Sequence, residues 1–524
     1  MQFTEQQIRE AFPRDPWPHQ LRGVVDLFRK LETKNSVVFC SPTGGGKGLC
    51  STAILNLLAS IDKGAVLYNV RRSLTDQTYR RLMEDNIHCG VRSAAHKHLQ
   101  NLNAKVQVAS LQTDINRVLH QEVWDIHDCA MVIVDEAHIS AGAKAQELYQ
   151  RYLASGAKVI GVTGTPIDLS GVYSDIVVAG TNSELRACKA HVPARVFGCH
   201  EMDTSRIRRV QTGEFSEGDI RKECWSQAII GHIVKDYLRL NPDRRPAMAA
   251  APGIGESVWL SEQFMAEGLR VLHLDCNEVI ANGERYKNDP EGIARQQALD
   301  DFRAGEYDML CNCEVVQQGI DITNLYHLIL ARPYGSLAAY AQTVGRVIRW
   351  SESTPDHVIV QDMGGNWHRH GSPNEDRDWE DLFYKTEKEI AEERQRKNEQ
   401  KEKEPIVCGA CGMVRAEGNR CPACGHMSDK TKRIIVQQDG QLIEHTGRIY
   451  KPPRVPTQTE KRQRQWDGLY HNAVRNDKHT SFKALRAQYK YKYKEWPPEG
   501  LKNMPVNAGD WTKKTNELPR ESLR

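Results

Sequence analysis

Two tandem α/β lobes, then a small cysteine-rich module and a basic extension, are what this sequence of 524 residues predicts. Three observations carry that expectation. Short apolar runs rich in Val and Ile alternate with helical patterns, in two successive series. A glycine-rich segment ending in lysine, Gly44-Gly45-Gly46-Lys47, sits between one such run and the helix after it. After Trp379 the composition changes, first to charge, then to paired cysteines, then to a proline-punctuated basic tail.

The first series comprises residues 36–40, 65–70, 105–109, 131–135 and 158–163, and the second 246–250, 270–274, 308–313, 326–331 and 357–361. Runs of this length read as parallel strands buried on both faces. The polar stretch 181–225 reads as an irregular bridge between the lobes. The expected division is 1–185 for an ATP-binding lobe and 186–380 for a second lobe. A charged helical linker over 381–404, a zinc ribbon over 405–427 and a basic region over 428–524 complete it.

The first lobe holds a phosphate-binding pattern. The run 36–40 leads into Ser41-Pro42-Thr43-Gly44-Gly45-Gly46-Lys47-Gly48 and then a helix. Glycines let backbone N–H groups turn toward phosphate oxygens, the helix N-terminus adds its positive end, and Lys47 adds a point charge. The residue after the lysine of such a loop is normally Ser or Thr, whose hydroxyl binds Mg²⁺. Here it is Gly48, so either water takes that place or hydrolysis is impaired. A Gly48→Thr replacement is expected to restore the hydroxyl. Asp135-Glu136 ends the run Met131-Val-Ile-Val, at the C-terminal edge of a parallel sheet, where ligands bind. Asp135 is placed to hold Mg²⁺ through water, and Glu136 to deprotonate the attacking water. Some two hundred residues on, Gln342, Arg346 and Arg349 fall at i, i+4 and i+7 of one helical pattern. With a phosphate site in the other lobe, the two arginines read as fingers reaching the γ-phosphate.

At this point the residues resemble the superfamily 2 helicases of the DEAH-box subtype, over roughly 12–372. The resemblance implies RecA-like lobes and an ATP-dependent motor. It implies that Gln20 reads adenine and that Thr43 to Gly48 cradle the phosphates. It likens Arg72-Ser73-Leu74-x-x-Gln77 and Ser110-Leu111-Gln112-Thr113 to nucleic-acid contact motifs. Thr163-Gly164-Thr165-Pro166 is similar to the motif coupling hydrolysis to lobe movement. Gln318-Gly319-Ile320-Asp321 looks like the motif that touches both nucleic acid and nucleotide. Arg72, Ser110, Gln112, Thr165 and Gln318 are therefore the expected nucleic-acid contacts, and Gly319 and Asp321 join the nucleotide site. Glu214-Phe215-Ser216-Glu217, Arg295 to Asp321 and Asp362-Met363-Gly364-Gly365-Asn366 resemble bacterial RadD-like and phage helicases. Gly48, Gly164 and Glu314 depart from the superfamily's commonest residues.

Cys408-Gly-Ala-Cys411 and Cys421-Pro-Ala-Cys424 form two knuckles suited to a closed, structural Zn²⁺ site. The other ten of fourteen cysteines show no framework, which suits a reducing, cytoplasmic compartment. Neither a membrane span nor a secretory leader is expected. From Asp429 onward 21 Lys+Arg face 11 Asp+Glu, a net of +10 in a chain whose total is +3. A basic tail suggests a polyanionic partner, or a solvated tail. Within it, Tyr489 to Trp496 alternates aromatic and basic residues, which suits stacking on bases or a half-buried strand.

The function expected is an ATP-dependent DNA helicase or translocase serving repair or replication, with ATP, Mg²⁺ and Zn²⁺ as cofactors. An RNA helicase, or a nucleic-acid-binding ATP switch or scaffold that does not unwind, are the alternatives.

Overall fold

The computed structural model describes residues 1–198 and most of 204–403. Within that stretch 205, 211–212, 225–226, 276, 288–292, 314–321, 323, 353 and 355 lie outside the described residues, as do the side chains of 72–73 and 222–231. Beyond 403, short pieces at 406–407, 414–415, 443–444, 482–493 and 496–497 are described, with Arg462, Trp466 and Leu469. Cys408, Cys411, Cys421 and Cys424, and likewise Glu314, Gln318, Gly319 and Asp321, fall outside them.

The first sheet has seven parallel strands: β1 (Ser36–Cys40), β2 (Ala65–Asn69), β3 (Cys89–Arg92), β4 (Val106–Ser110), β5 (Met131–Asp135), β6 (Lys158–Thr163) and β7 (Ile176–Val178). Their order is β3-β4-β2-β5-β6-β1-β7. Side chains alternate across each strand, and both faces are covered. Val37 and Phe39 of β1 and Met131 and Ile133 of β5 point into one core with helix Pro18–Leu31. Val38, Cys40, Val132 and Val134 point into the other, which is continuous with the core of the second lobe.

The second sheet begins earlier than the polarity of 181–225 suggests. Strand β8 (Ala194–Gly198) is already part of it, parallel to the last strand, β15 (Val358–Asp362). Between them come β9 (Ala247–Ala250), β10 (Val271–Leu274), β11 (Glu278–Ala281), β12 (Glu284–Lys287), β13 (Met309–Asn312) and β14 (His327–Leu330). The order is β12-β11-β10-β13-β9-β14-β15-β8, closed at the β8 edge by Ile443–Glu444. All pairings from β10 to β8 are parallel, whereas β10, β11 and β12 form an antiparallel edge. The β11–β12 turn is Asn282-Gly283, both at positive φ (47° and 92°), the pairing that a two-residue hairpin demands.

The charged linker is not wholly solvated. Helix Glu387–Lys403 opens with Glu387, whose carboxylate accepts from Ser336 Oγ (2.7 Å), Leu337 N–H (2.9 Å) and Ala338 N–H (3.1 Å). An acid thus caps the N-terminus of helix Leu337–Val347, which carries Gln342 and Arg346. The segment before that helix is held from two further sides. Glu214 accepts from Gly335 N–H at 2.7 Å. Asn366 accepts from Tyr334 N–H (2.6 Å) and donates to Arg332 O (2.9 Å) and Asp362 Oδ1 (2.8 Å). Two of the stretches that resembled phage helicases, 214–217 and 362–366, therefore brace the entry to one helix.

The chain divides into two compact units, Met1–Tyr450 and Lys451–Arg524. In the second, Phe482–Tyr493 is a helix rather than a strand. The aromatic–basic alternation is overridden by a period of four: Tyr489 is fully buried and packs, ring tilted, with centroids 4.9 Å from Tyr493 and 6.1 Å from Trp466, while Tyr491 is exposed. Among the described residues no helix is long and apolar enough to cross a membrane.

Candidate nucleotide site between the lobes

Strands β5, β6 and β1 are neighbours, so their C-terminal ends bring Asp135-Glu136, Thr163-Gly164-Thr165 and the loop 41–47 together on one edge. The loop curls because Gly44 (φ 88°) and Gly46 (φ 82°) take left-handed conformations closed to most residues. Helix Lys47–Ser60 starts directly at Lys47. A side chain at 46 would collide with the Gln20 amide, and one at 45 with Ser41 Oγ. The cradle is thus shaped for a group approached by bare backbone, which fits phosphate oxygens. Gln20 is buried beneath it and donates to Gly45 O at 3.0 Å while accepting from Trp17 N–H at 2.9 Å. Its amide anchors the loop. Lys47 Nζ donates to Ser41 O at 3.3 Å. Gly164, one of the departures noted above, lies against it: an added Cβ would stand 3.3 Å from Nζ and 3.2 Å from Ser41 O.

The acids sit at the mouth of this cradle. Glu136 adopts φ 49°, ψ 52°, a strained conformation for a side-chain-bearing residue, and its N–H donates to Asp135 Oδ1 at 3.0 Å. Burial first, and the neighbouring Glu136 charge second, push the Asp135 carboxyl up to about 6, with Lys47 and Arg81 pulling the other way. An acid whose folded value is raised holds its proton more tightly when folded. Its stabilising contribution is therefore complete below the ordinary carboxylate range and lost as pH climbs through 6. Asp135→Asn should accordingly match the parent near pH 4 and exceed it above pH 6, by on the order of 1–3 kcal/mol. Urea melts across that range check this.

Residues of the second lobe reach the same edge. Gly345 brings helix Leu337–Val347 down onto the loop, where a Cβ would stand only 2.7 Å from Thr43 Cβ. Gln342 Nε2 donates to His138 Nε2 (2.7 Å) and to Thr165 Oγ1 (3.3 Å). His138 Nδ1 then donates to Thr163 Oγ1 at 2.9 Å and lies 3.5 Å from Glu136 Oε2. Burial holds the His138 ring below its ordinary value, which suits this neutral tautomer. Hydrogen bonds thus run from Gln342 of the second lobe to His138 and on to Thr163, with the Glu136 carboxylate 3.5 Å from the His138 ring. Removing the bond to His138 with Gln342→Ala should leave ATP affinity intact and lower turnover by roughly tenfold, the scale of one lost hydrogen bond in a barrier. Steady-state ATPase titrations read both quantities.

Arg349 does not share the helical face expected for it. The helix stops at Val347, with Ile348 as its cap. Trp350 N–H turns to Ala190 O (3.0 Å), and Val192 N–H to Ile348 O (2.9 Å), so Arg349 pairs in a bridge with His191. That bridge, not helical periodicity, sets Arg349 beside Gly44, whose added Cβ would lie 3.4 Å from Arg349 Cγ. Arg346 stays on the helix and is mostly buried. Thr165 is also buried and accepts from Gln342 of the second lobe, so it is not the surface contact with nucleic acid expected of it. Ser110 Oγ caps the turn 111–114 by accepting from Thr113 N–H at 3.4 Å. Gln112 is exposed and donates to Asn116 at 3.3 Å, both lining a groove with Val70, Ala94 and Arg117. Arg72 opens helix Arg72–Glu84, with its side chain outside the described residues.

Three residues of this neighbourhood carry no motif and were missed. His191 hydrogen-bonds the loop at Thr43 O (2.6 Å), and burial lowers its ring to about 4. Glu387 caps the arginine-bearing helix from the linker. Arg81 packs over Gly48, so a Cβ at 48 would run into its Nη1. The gain expected from Gly48→Thr is therefore not available without displacing Arg81.

Residues 14–168 match the family model for the type III restriction enzyme, res subunit, and residues 272–351 match the helicase conserved C-terminal domain. The two models fall, in order, on the two lobes that face each other across this edge. The two matches and the helicase relatives support a superfamily 2 helicase. The helicase is an ATP-hydrolysing enzyme. It is 26% identical over 413 residues to a 51.5 kDa protein of a Lactococcus phage, covering 77% of this chain and 81% of that one. It is 26% identical over 273 residues to IRC3 of Saccharomyces cerevisiae, named as an ATP-dependent helicase, covering 50% of this chain. It spans only 37% of that relative's length. Among solved structures, the DUF1998 helicase MrfA bound to DNA superimposes with a TM-score of 0.49 at 14% identity, over 68% of this chain and 51% of MrfA.

Proposed function

We propose that the helicase couples ATP hydrolysis between its lobes to movement on, or remodelling of, DNA. The observation that carries this reading is the hydrogen bond from Gln342 to His138, which brings the second lobe against the ring that stands 3.5 Å from Glu136 beside the phosphate cradle. A site that only bound nucleotide would need no such tie. The match of the first lobe to a restriction-enzyme subunit supports DNA over RNA.

In this account the Gly44–Gly46 backbone and Lys47 hold the triphosphate. Asp135 would hold Mg²⁺ through water, the ion screening phosphate charge when bound. Glu136 accepts the proton of the attacking water. Arg346 and Arg349 meet the charge that develops on the γ-phosphoryl group as the lobes close. Gln318, Gly319 and Asp321 are proposed to relay the nucleotide state to the nucleic acid, alongside Arg72, Ser110 and Gln112. Cys408, Cys411, Cys421 and Cys424 are proposed to bind a structural Zn²⁺, since each pair offers two thiolates at knuckle spacing and no fifth donor is needed. The net +10 beyond Met427 is proposed to bind backbone phosphates, with a correspondingly steep salt dependence.

Strand displacement tests the reading. DNA duplexes with single-stranded overhangs should be separated in an ATP-dependent manner, and matched RNA duplexes should not. Separation of RNA alone would assign an RNA helicase. ATP-dependent binding with no separation or translocation of either would assign a clamp or scaffold.

A further inference from the structure

Position 48 and Arg81 are complementary. Arg81 lies on helix Arg72–Glu84, and its guanidinium occupies the space that any side chain at 48 would need. A side chain at 48 would have to push the end of the Arg81 side chain aside, and it is there that the hydroxyl of the usual Ser or Thr would stand. Arg81 is half-buried, its Nε is fully enclosed, and its guanidinium donates no hydrogen bond among the described residues. An enclosed Nε with no acceptor among the described residues, on a guanidinium whose terminal nitrogens stay open to a ligand, suits an anion. Asp135 is near enough to feel the charge, but the two form no ion pair within 4 Å among the described residues. Lys47 is already engaged with Ser41 O.

We propose that Arg81 is a resident cation of the nucleotide site, taking over from the missing hydroxyl and binding the nucleotide's β- and γ-phosphates. This rests on the reading of the loop 41–47 as a nucleotide site and adds a residue to it. The chemistry that follows is specific. A hydroxyl acts on the phosphates only through Mg²⁺, whereas a guanidinium binds phosphate oxygens directly and permanently carries its charge. Nucleotide binding by this chain should therefore survive removal of Mg²⁺ far better than binding by a loop that relies on a hydroxyl. Gly48 is then not a defect of the site but the condition for Arg81 to enter it.

The test measures the affinity of the full-length protein for fluorescently labelled ADP and for a labelled non-hydrolysable ATP analogue, each in Mg²⁺ and in EDTA. The parent should bind in EDTA within about tenfold of its affinity in Mg²⁺. Arg81→Gln, which stays polar but is shorter and loses the charge, should weaken EDTA binding by roughly tenfold or more, as expected for one charged hydrogen-bond pair, and weaken Mg²⁺-supported binding less. Arg81→Lys should restore part of the loss. Gly48→Ser combined with Arg81→Ala should recover Mg²⁺-supported binding without recovering binding in EDTA. Should Arg81→Gln lower the melting temperature, Arg81→Met retains the apolar stem and gives the same comparison. An EDTA-to-Mg²⁺ affinity ratio unchanged within about twofold by loss of the Arg81 charge would overturn the proposal. A parent that binds no nucleotide in either buffer would instead overturn the reading of the loop itself.

Discussion

Glu136→Gln should bind ATP as tightly as the parent and hydrolyse it slower by roughly 10²–10⁴, the usual contribution of a positioned general base. The substitution preserves size, so the left-handed backbone at 136 and the packing of Thr163 and His138 stay in place. What is lost is the capacity to take a proton. Lys47→Ala should differ in kind. It removes the point charge at the start of helix Lys47–Ser60, so nucleotide binding itself should fall together with turnover. Fluorescent-nucleotide titrations and steady-state ATPase rates, run on both variants, separate the two defects. Near-parental turnover by Glu136→Gln would show that another group activates the water.

Arg349→Ala should cut turnover by roughly 10³–10⁵ while changing ATP affinity by no more than a few fold, the pattern of an interaction made mainly in the transition state. The structure gives this expectation a firmer basis than helical spacing could. Arg349 is fixed by the bridge to His191, His191 is itself bonded to the loop at Thr43 O, and the arginine stem lies against Gly44. Truncation at Cβ leaves the backbone bridge intact, and Arg349→Met, which keeps most of the stem on Gly44, separates the loss of the guanidinium from the loss of packing. A rise in KM with kcat unchanged would confine Arg349 to substrate binding.

Much of this site is legible in the sequence because its parts are local. Gly44 to Lys47 announce a phosphate loop by composition alone. A run of Val and Ile ending in Asp135-Glu136 announces a strand end. The buried parallel strands are likewise readable, since both of their faces are apolar. Less legible are contacts between residues far apart in the chain. Nothing in the spacing of Arg81 or His191 indicates that one will fill the space over Gly48 and the other grip Thr43. Glu387 sits in a stretch so charged that solvation is the natural expectation, yet its carboxylate finds a helix N-terminus 50 residues away. Arg349 falls at a helical i+7, but tertiary pairing with Ala190 to Val192 ends the helix first. The Tyr489–Trp496 alternation mimics a strand, and packing of Tyr489 against Trp466 selects the helix. One signal stood in the sequence unread: Asn282-Gly283, between short β-patterned segments, marks the hairpin at the edge of the second sheet.

Nucleic acid held by the two lobes should control the chemistry at Glu136. Phosphate release at saturating ATP, measured alone and with single-stranded DNA, duplex DNA, branched DNA and RNA, tests it most directly. Release should be slow alone and rise at least about tenfold with DNA, falling back toward the unstimulated rate in Gln342→Ala. ATPase activity that is equally fast with and without every nucleic acid would contradict it.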